Sequence, residues 1–176
     1  MVWLAVACSG TPVLPARAEP PSGMDRPTGD VYAALSRLLD CGTWSDTEKV
    51  WGCSVLRMRG SVSVFREPSD GTVGTVRLNA LITAHPRRQP GAEARSRALA
   101  AKIALTVLPE WKDGARWLAK AIAAARRDDR DQITRVGPIN VVVRGYEPVD
   151  LPSRYVEIIL TKRAVDDWLY PEDLKD

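Results

Sequence analysis

The stretch GPINVVVRGYEPVDLPSRYVEIILTK, residues 137–162, decides how the rest of the chain is read. Within it Ile139, Val141 and Val143 alternate with Asn140 and Arg144, and Val156, Ile158 and Leu160 alternate with Tyr155, Glu157 and Thr161. A two-residue period of apolar and polar side chains is what a strand with one buried face requires, and the β-branched content favours it further. Both runs predict strands. The connection between them, YEPVDLPS, is too long for a tight turn and predicts an exposed loop.

Upstream, SVLRMRGSVSVFRE (residues 54–67) becomes alternating and β-branched in its second half, with Val62 and Val64 on one face. EPSDG supplies turn residues, and TVRLNALIT continues with Val76, Leu78, Ala80 and Ile82 on one side. A hairpin is predicted. From Ala92 to Leu108 the chain is Ala-rich, with Leu99, Ile103 and Val107 at four-residue steps, and Pro109 ends the helix. Asp113 then caps GARWLAKAIAAARR, whose buried stripe is Trp117, Leu118, Ala121, Ile122 and Ala125. An earlier helix, DVYAALSRLLD, is capped by Asp30 and stops at Cys41–Gly42.

The element order read this way is α-β-β-α-α-β-β. Strands arriving in hairpins, without βαβ alternation, predict an α+β fold: an antiparallel four-stranded sheet made of two hairpins, with two long helices packed on one face. A chain of 176 residues, 45% apolar, is large enough for one domain with a substantial core. Residues 1–18 read as a signal or leader segment, 19–29 as a Pro/Gly-rich linker, and 30–176 as a single globular domain.

The leader reading rests on the apolar run Val2–Ala7 and on Ala16-Arg17-Ala18, a small-x-small pattern suited to cleavage; a basic n-region is missing. It implies a periplasmic or otherwise extracytoplasmic protein. Two alternatives use the same residues. Cys8, after Ala5-Val6-Ala7, resembles a loose lipoprotein box and would carry a lipid anchor, whereas a start at Met24 would leave the protein in the cytoplasm.

Cysteine use bears on the same question. CGTWSDTEKVWGC, residues 41–53, is nearly symmetric about its polar centre. Eleven residues separate the two thiols, which is not the Cys-x-x-Cys spacing of a redox centre. With one histidine in the chain, His85, the four ligands of structural zinc are not supplied. A structural disulfide between Cys41 and Cys53 fits an exported chain, closing a loop in which Trp44 and Trp51 either cover the bond or present an aromatic pair to a partner.

Catalytic signatures are not evident. His85 precedes Pro86 in a break between strand and helix, with no nucleophile elbow beside it. Asp128, Asp129 and Asp131 are interrupted by arginine and lack the spacing of a calcium loop. No cofactor and no metal are implied. The net charge is only +3, but residues 84–135 hold twelve Lys/Arg against six Asp/Glu, and residues 145–176 hold four against eight. Arg87, Arg88, Arg95, Arg116, Lys120 and Arg127 are the candidates for a basic helical face that meets an anionic polymer or membrane surface. Aromatics are not interleaved with them, which argues against nucleic acid.

The function expected from these features is that of a non-catalytic exported domain of the cell envelope that binds a protein partner, with Trp44, Trp51 and Tyr146 as candidate contacts. Binding of an anionic polymer or membrane surface through the Arg-rich helical face is the alternative. A hydrolytic enzyme of unrecognised type comes third.

Overall fold

The computed structural model describes residues 23–39, 41–46, 49–55, 60–82, 91–125, 127, 130–146 and 154–164. In chain order, a 3-10 turn at Gly23–Asp25 leads into α1 (Thr28–Leu38), followed by β1 (Cys41–Asp46), β2 (Val50–Val55), β3 (Gly60–Arg66) and β4 (Val73–Ile82). Then come α2 (Ala92–Val107), α3 (Gly114–Ala125), β5 (Gln132–Val136), β6 (Ile139–Tyr146) and β7 (Arg154–Thr161). The strands form one antiparallel sheet in the order β1-β2-β3-β4-β7-β6-β5.

The α+β class holds, but among the described residues the sheet has seven strands and not four. The two expected pairings are present: Val62 lies opposite Leu78 between β3 and β4, and Val143 opposite Ile158 between β6 and β7. Three strands were not anticipated. The stretch read as a loop, residues 41–53, lies mostly within β1 and β2, which pair with an irregularity between Thr43 and Ser45. QITRV forms β5 and closes on β6 through Gly137, whose φ of +56° is open to glycine at little cost.

Register explains the core. Residues directly opposite one another share a face, so Cys53, Val62, Leu78, Ile158 and Val143 form one row across the sheet, and Trp51, Val64, Val76, Leu160 and Val141 form the next. All ten are at most 5% exposed. They pack with Ile103 and Val107 of α2 and with Leu118 and Ile122 of α3, with α2 lying against β4 and α3 against β6. The α3 stripe read from the sequence is in place, with Leu118, Ala121, Ile122 and Ala125 buried. Val31 and Leu35 of α1 join the same core.

The segment expected as linker is packed from Gly23 onward. Met24 is fully buried, and Arg26 donates through Nε to the Gly23 carbonyl and through Nη2 to the Thr106 carbonyl, both at 3.1 Å. Asp25 pairs with Lys162 at 2.9 Å, and Pro27 bridges Thr72. Gly23 lies so close to the end of α2 that an added Cβ would sit 1.6 Å from the Val107 carbonyl oxygen. Helix α1 accordingly starts at Thr28, two residues before the expected cap, with Asp30 in its first turn where a negative charge favours the helix dipole.

Gly23→Ala is expected to cost about 1–3 kcal/mol by forcing the two backbones apart. A chain beginning at Met24 loses the Gly23 carbonyl and places a charged amine beside a buried side chain, so it should unfold at lower urea than one beginning at Glu19. Equal urea midpoints for all three chains would show that this contact does not support the fold.

Candidate functional site

The sheet has a second face, and its composition differs from the first. Crossing the strands, Ser61, Asn79, Glu157 and Arg144 form one row; Ser63, Arg77, Ile159, Val142 and Ile133 form the next. The core cluster that joins the helices to the sheet contains none of these side chains. Ile159 and Val142 are nevertheless 1% and 2% exposed.

At the centre sits Glu157, fully buried on β7. Its Oε1 accepts from Nε of Arg77 on β4, and its Oε2 accepts from Nε of Arg144 on β6, the latter at 2.5 Å. Strand pairing alone brings the three together: Arg144 is directly opposite Glu157, and Arg77 stands one step along the neighbouring strand. The side chains of Arg77 and Arg144 remain 37% and 28% exposed.

Tyr146 and Tyr155, directly opposite in the next row, stack with ring centroids 5.5 Å apart. The Tyr146 hydroxyl is pushed above the ordinary phenol value, first by burial and then by the nearby charge of Glu157. It therefore stays protonated, and able to donate, throughout the neutral range. Beside Glu157, Asn79 donates through Nδ2 to Ser61 Oγ at a long 3.4 Å, while its buried Oδ1 has no hydrogen-bond partner.

The residues singled out from the sequence are scattered. Tyr146 belongs to this face and is 36% exposed. Trp51 does not: it is 5% exposed, on the helix side, stacked on Tyr32 with ring centroids 5.3 Å apart. Its role is packing, and it is not available as a partner contact. For Trp44 and Cys41 only the β1 backbone is described; Cys53 is fully buried on β2. Arg95, Arg116, Lys120 and Arg127 are exposed, and Arg116 bonds Asp113 at 2.6 Å. Cys8, His85, Arg87 and Arg88 lie outside the described residues.

A groove of about 560 Å³ lies between α2 and α3, with Leu105, Ile122, Ala98, Ala119, Arg97 and Lys102 among the residues that line it. Among the described residues, no three His, Cys, Asp or Glu side chains converge as metal ligands, and no helix is long and apolar enough to cross a membrane.

Sequence reasoning passed over Arg77, Arg144 and Glu157. The signal was present in the polar positions of the alternating strands, but those positions ordinarily face water. Comparison of the chain with protein-family models, with curated proteins and with solved structures finds no match.

The Glu157 cluster should behave as one unit. Arg77→Leu or Arg144→Leu leaves the carboxylate with one cation, whereas the double variant leaves it buried with none. The double loss is expected to exceed the sum of the singles by about 1 kcal/mol or more, and adding Glu157→Leu should restore stability. Additive urea-unfolding energies would show that the three charges are not coupled.

Proposed function

We propose that the protein is a non-catalytic domain of the cell envelope that binds another protein through the face of its sheet turned away from α2 and α3. One observation carries this reading. Among the described residues, the two large hydrophobic side chains left exposed, Ile133 at 53% and Tyr146 at 36%, fall on that same face. Ile133 is opposite Val142, and Tyr146 is four residues further along β6, so the two stand about 13 Å apart along the sheet with Arg144 between their positions. Aromatic, aliphatic and arginine side chains together make up the centre of typical protein interfaces, and tyrosine and arginine are enriched among the residues that dominate binding energy.

Export and a Cys41–Cys53 disulfide belong to the same proposal. Cys41 is opposite Val55 and Cys53 opposite Thr43, which puts both on one face of neighbouring strands, a single diagonal step apart. A bond there would tie the edge strand β1 to β2. The ring of thirteen residues, 41 through 53, would contribute about 3 kcal/mol in the simple loop-entropy account.

A second reading rests on the groove between α2 and α3. Its largely apolar lining, which includes Arg97 and Lys102, and exposed Lys120 on the same helix pair suit an anionic membrane surface.

Two measurements test the proposal. Native protein treated with a thiol-alkylating reagent should show Cys41 and Cys53 unmodified until reduced; immediate alkylation of both would refute the bond. Photo-reactive amino acids placed at Ile133 and at Tyr146 should cross-link a discrete protein in cells, and one at Lys120 should not. Protein adducts at Lys120 alone, or lipid adducts there with none at Ile133, would move the function to the helical face.

A further inference from the structure

We infer that residues 165–176, the acidic segment that follows β7, seat in the groove between α2 and α3. The inference goes beyond the reading of the sheet face and does not rest on it.

Helix α2 is apolar on more than the side it turns to the sheet. Ala100, Ile103, Ala104 and Val107 are buried in the core. Ala98, Ala101 and Leu105 line the groove, where Ala98 is exposed and the other two are half-buried. From α3, exposed Ala115 and Ala119 line it as well. A helix that only covers a sheet keeps its outer side polar. Here small apolar residues leave room for a third segment to lie against both helices.

Charge narrows the choice of segment. Lys102 lines the groove and is exposed, and Lys120 is exposed on α3 next to Ala119. Arg97 also lines the groove, with interactions of its own. Among the described lining residues none is acidic. A second copy fits poorly, because a two-fold interface sets the same patch against itself and would oppose lysine to lysine. An acidic segment carrying a few apolar side chains suits both the lining and the charge.

Residues 165–176 lie outside the described residues, but their composition is plain: Asp166, Asp167, Glu172, Asp173 and Asp176 against Lys175 alone. Val165, Trp168 and Leu169 supply apolar side chains at the i, i+3, i+4 spacing of one helix side.

The described chain also leaves β7 beside one end of the groove. The Lys162 backbone N–H donates to the Gly74 carbonyl at 3.1 Å, and its Nζ pairs with Asp25 at 2.9 Å. Next to Asp25, Arg26 donates through Nη2 to the carbonyl of Thr106, and Thr106 lines the groove. From Arg97 to Thr106 the groove follows α2 for about 13 Å. Residues 165–176 span roughly 40 Å when extended and about 18 Å as a helix, so either form is long enough. A segment tethered this near has an effective concentration on the order of millimolar, which a free acidic peptide of a partner rarely matches.

The test places a leucine-sized diazirine amino acid at Leu105 of the full chain and maps the photo-adducts by mass spectrometry. Mixing isotopically labelled with unlabelled chains shows whether an adduct lies within one molecule. Adducts to residues 165–176 of the same molecule are expected, and a diazirine at Leu38, packed beside the core on α1, should give none. Lys102→Glu with Lys120→Glu should cut the yield at least about fivefold, as turning two exposed attractions into repulsions does for a tethered segment. Adding Asp166→Lys and Asp167→Lys should bring the yield back to within about twofold of the original, which a merely misfolded variant would not do. Four outcomes would overturn the inference. Adducts only between two molecules would give the groove to a second copy. Lipid adducts in phosphatidylglycerol vesicles, replacing those to 165–176, would give it to a membrane. No adduct to 165–176, or a yield indifferent to the lysine reversal, would remove the segment from the groove.

Discussion

The insertion of β7 between β4 and β6 is the constraint on which the rest of the molecule depends. β1 to β4 form a meander by themselves, and β5 with β6 form a hairpin by themselves. Only β7 joins them, pairing over eight residues with β4 and over seven with β6. Its central position satisfies its backbone on both sides and buries the run from Val156 to Thr161. The partners of β7 on β4 are some eighty residues earlier, as with Arg77 and Glu157. Closing so long a loop costs entropy before any contact repays it, so this pairing belongs late in folding. The two helices between β4 and β5 become a bridge across a sheet that only the last strand completes.

The same strand places the least expected side chain of the fold. Glu157, on this central strand, is fully buried. Its two oxygens are satisfied from the strands on either side, by one arginine each. Sheet completion and charge pairing are therefore one event: Glu157 meets Arg77 only when β7 meets β4, and Arg144 only when β7 meets β6. A strand slipped by one residue would turn Glu157 into the aliphatic core and its aliphatic neighbours outward. The ion cluster penalises wrong register even if it adds little to the stability of the right one.

How much of this was legible in the sequence follows from what each residue reports. The strands β3, β4, β6 and β7 carry β-branched alternation and were readable, as were α2 and α3 from their four-residue steps. β1 and β2 were hidden because Gly42, Gly52 and the polar Ser45-Asp46 dilute any period, and the matched cysteines suggested a closed loop. β5 is five residues at an edge, half-buried on one side and exposed on the other, so its alternation between Ile133 and its polar neighbours has little to stand on. Gly23 and Met24 looked like linker because proline and glycine surround them, whereas their burial depends on the end of α2, far along the chain. Tyr146, at the start of the connection read as an exposed loop, is 36% exposed. The Glu157 cluster was not readable at all, since its members come from three strands and each alone resembles an ordinary solvent-facing charge.

The two sides of the sheet divide the demands on the molecule. On the helix side nearly every residue is aliphatic, and the tryptophan expected to greet a partner is stacked away against Tyr32. That side gives cohesion and can do so because nothing there needs to be reached. The other side keeps arginines, tyrosines and hydroxyls at positions where the neighbouring Ile159 and Val142 prove that hydrocarbon fits. The sheet edges add no explanation: β1 is interrupted between Thr43 and Ser45, and β5 is short and carries exposed Arg135, both familiar means of discouraging further strand pairing. Edge protection accounts for Arg135 but not for exposed Ile133 beside it, and not for a buried glutamate aligning an arginine that remains within reach of solvent. Those features make sense if the face turned away from α2 and α3 has something to hold.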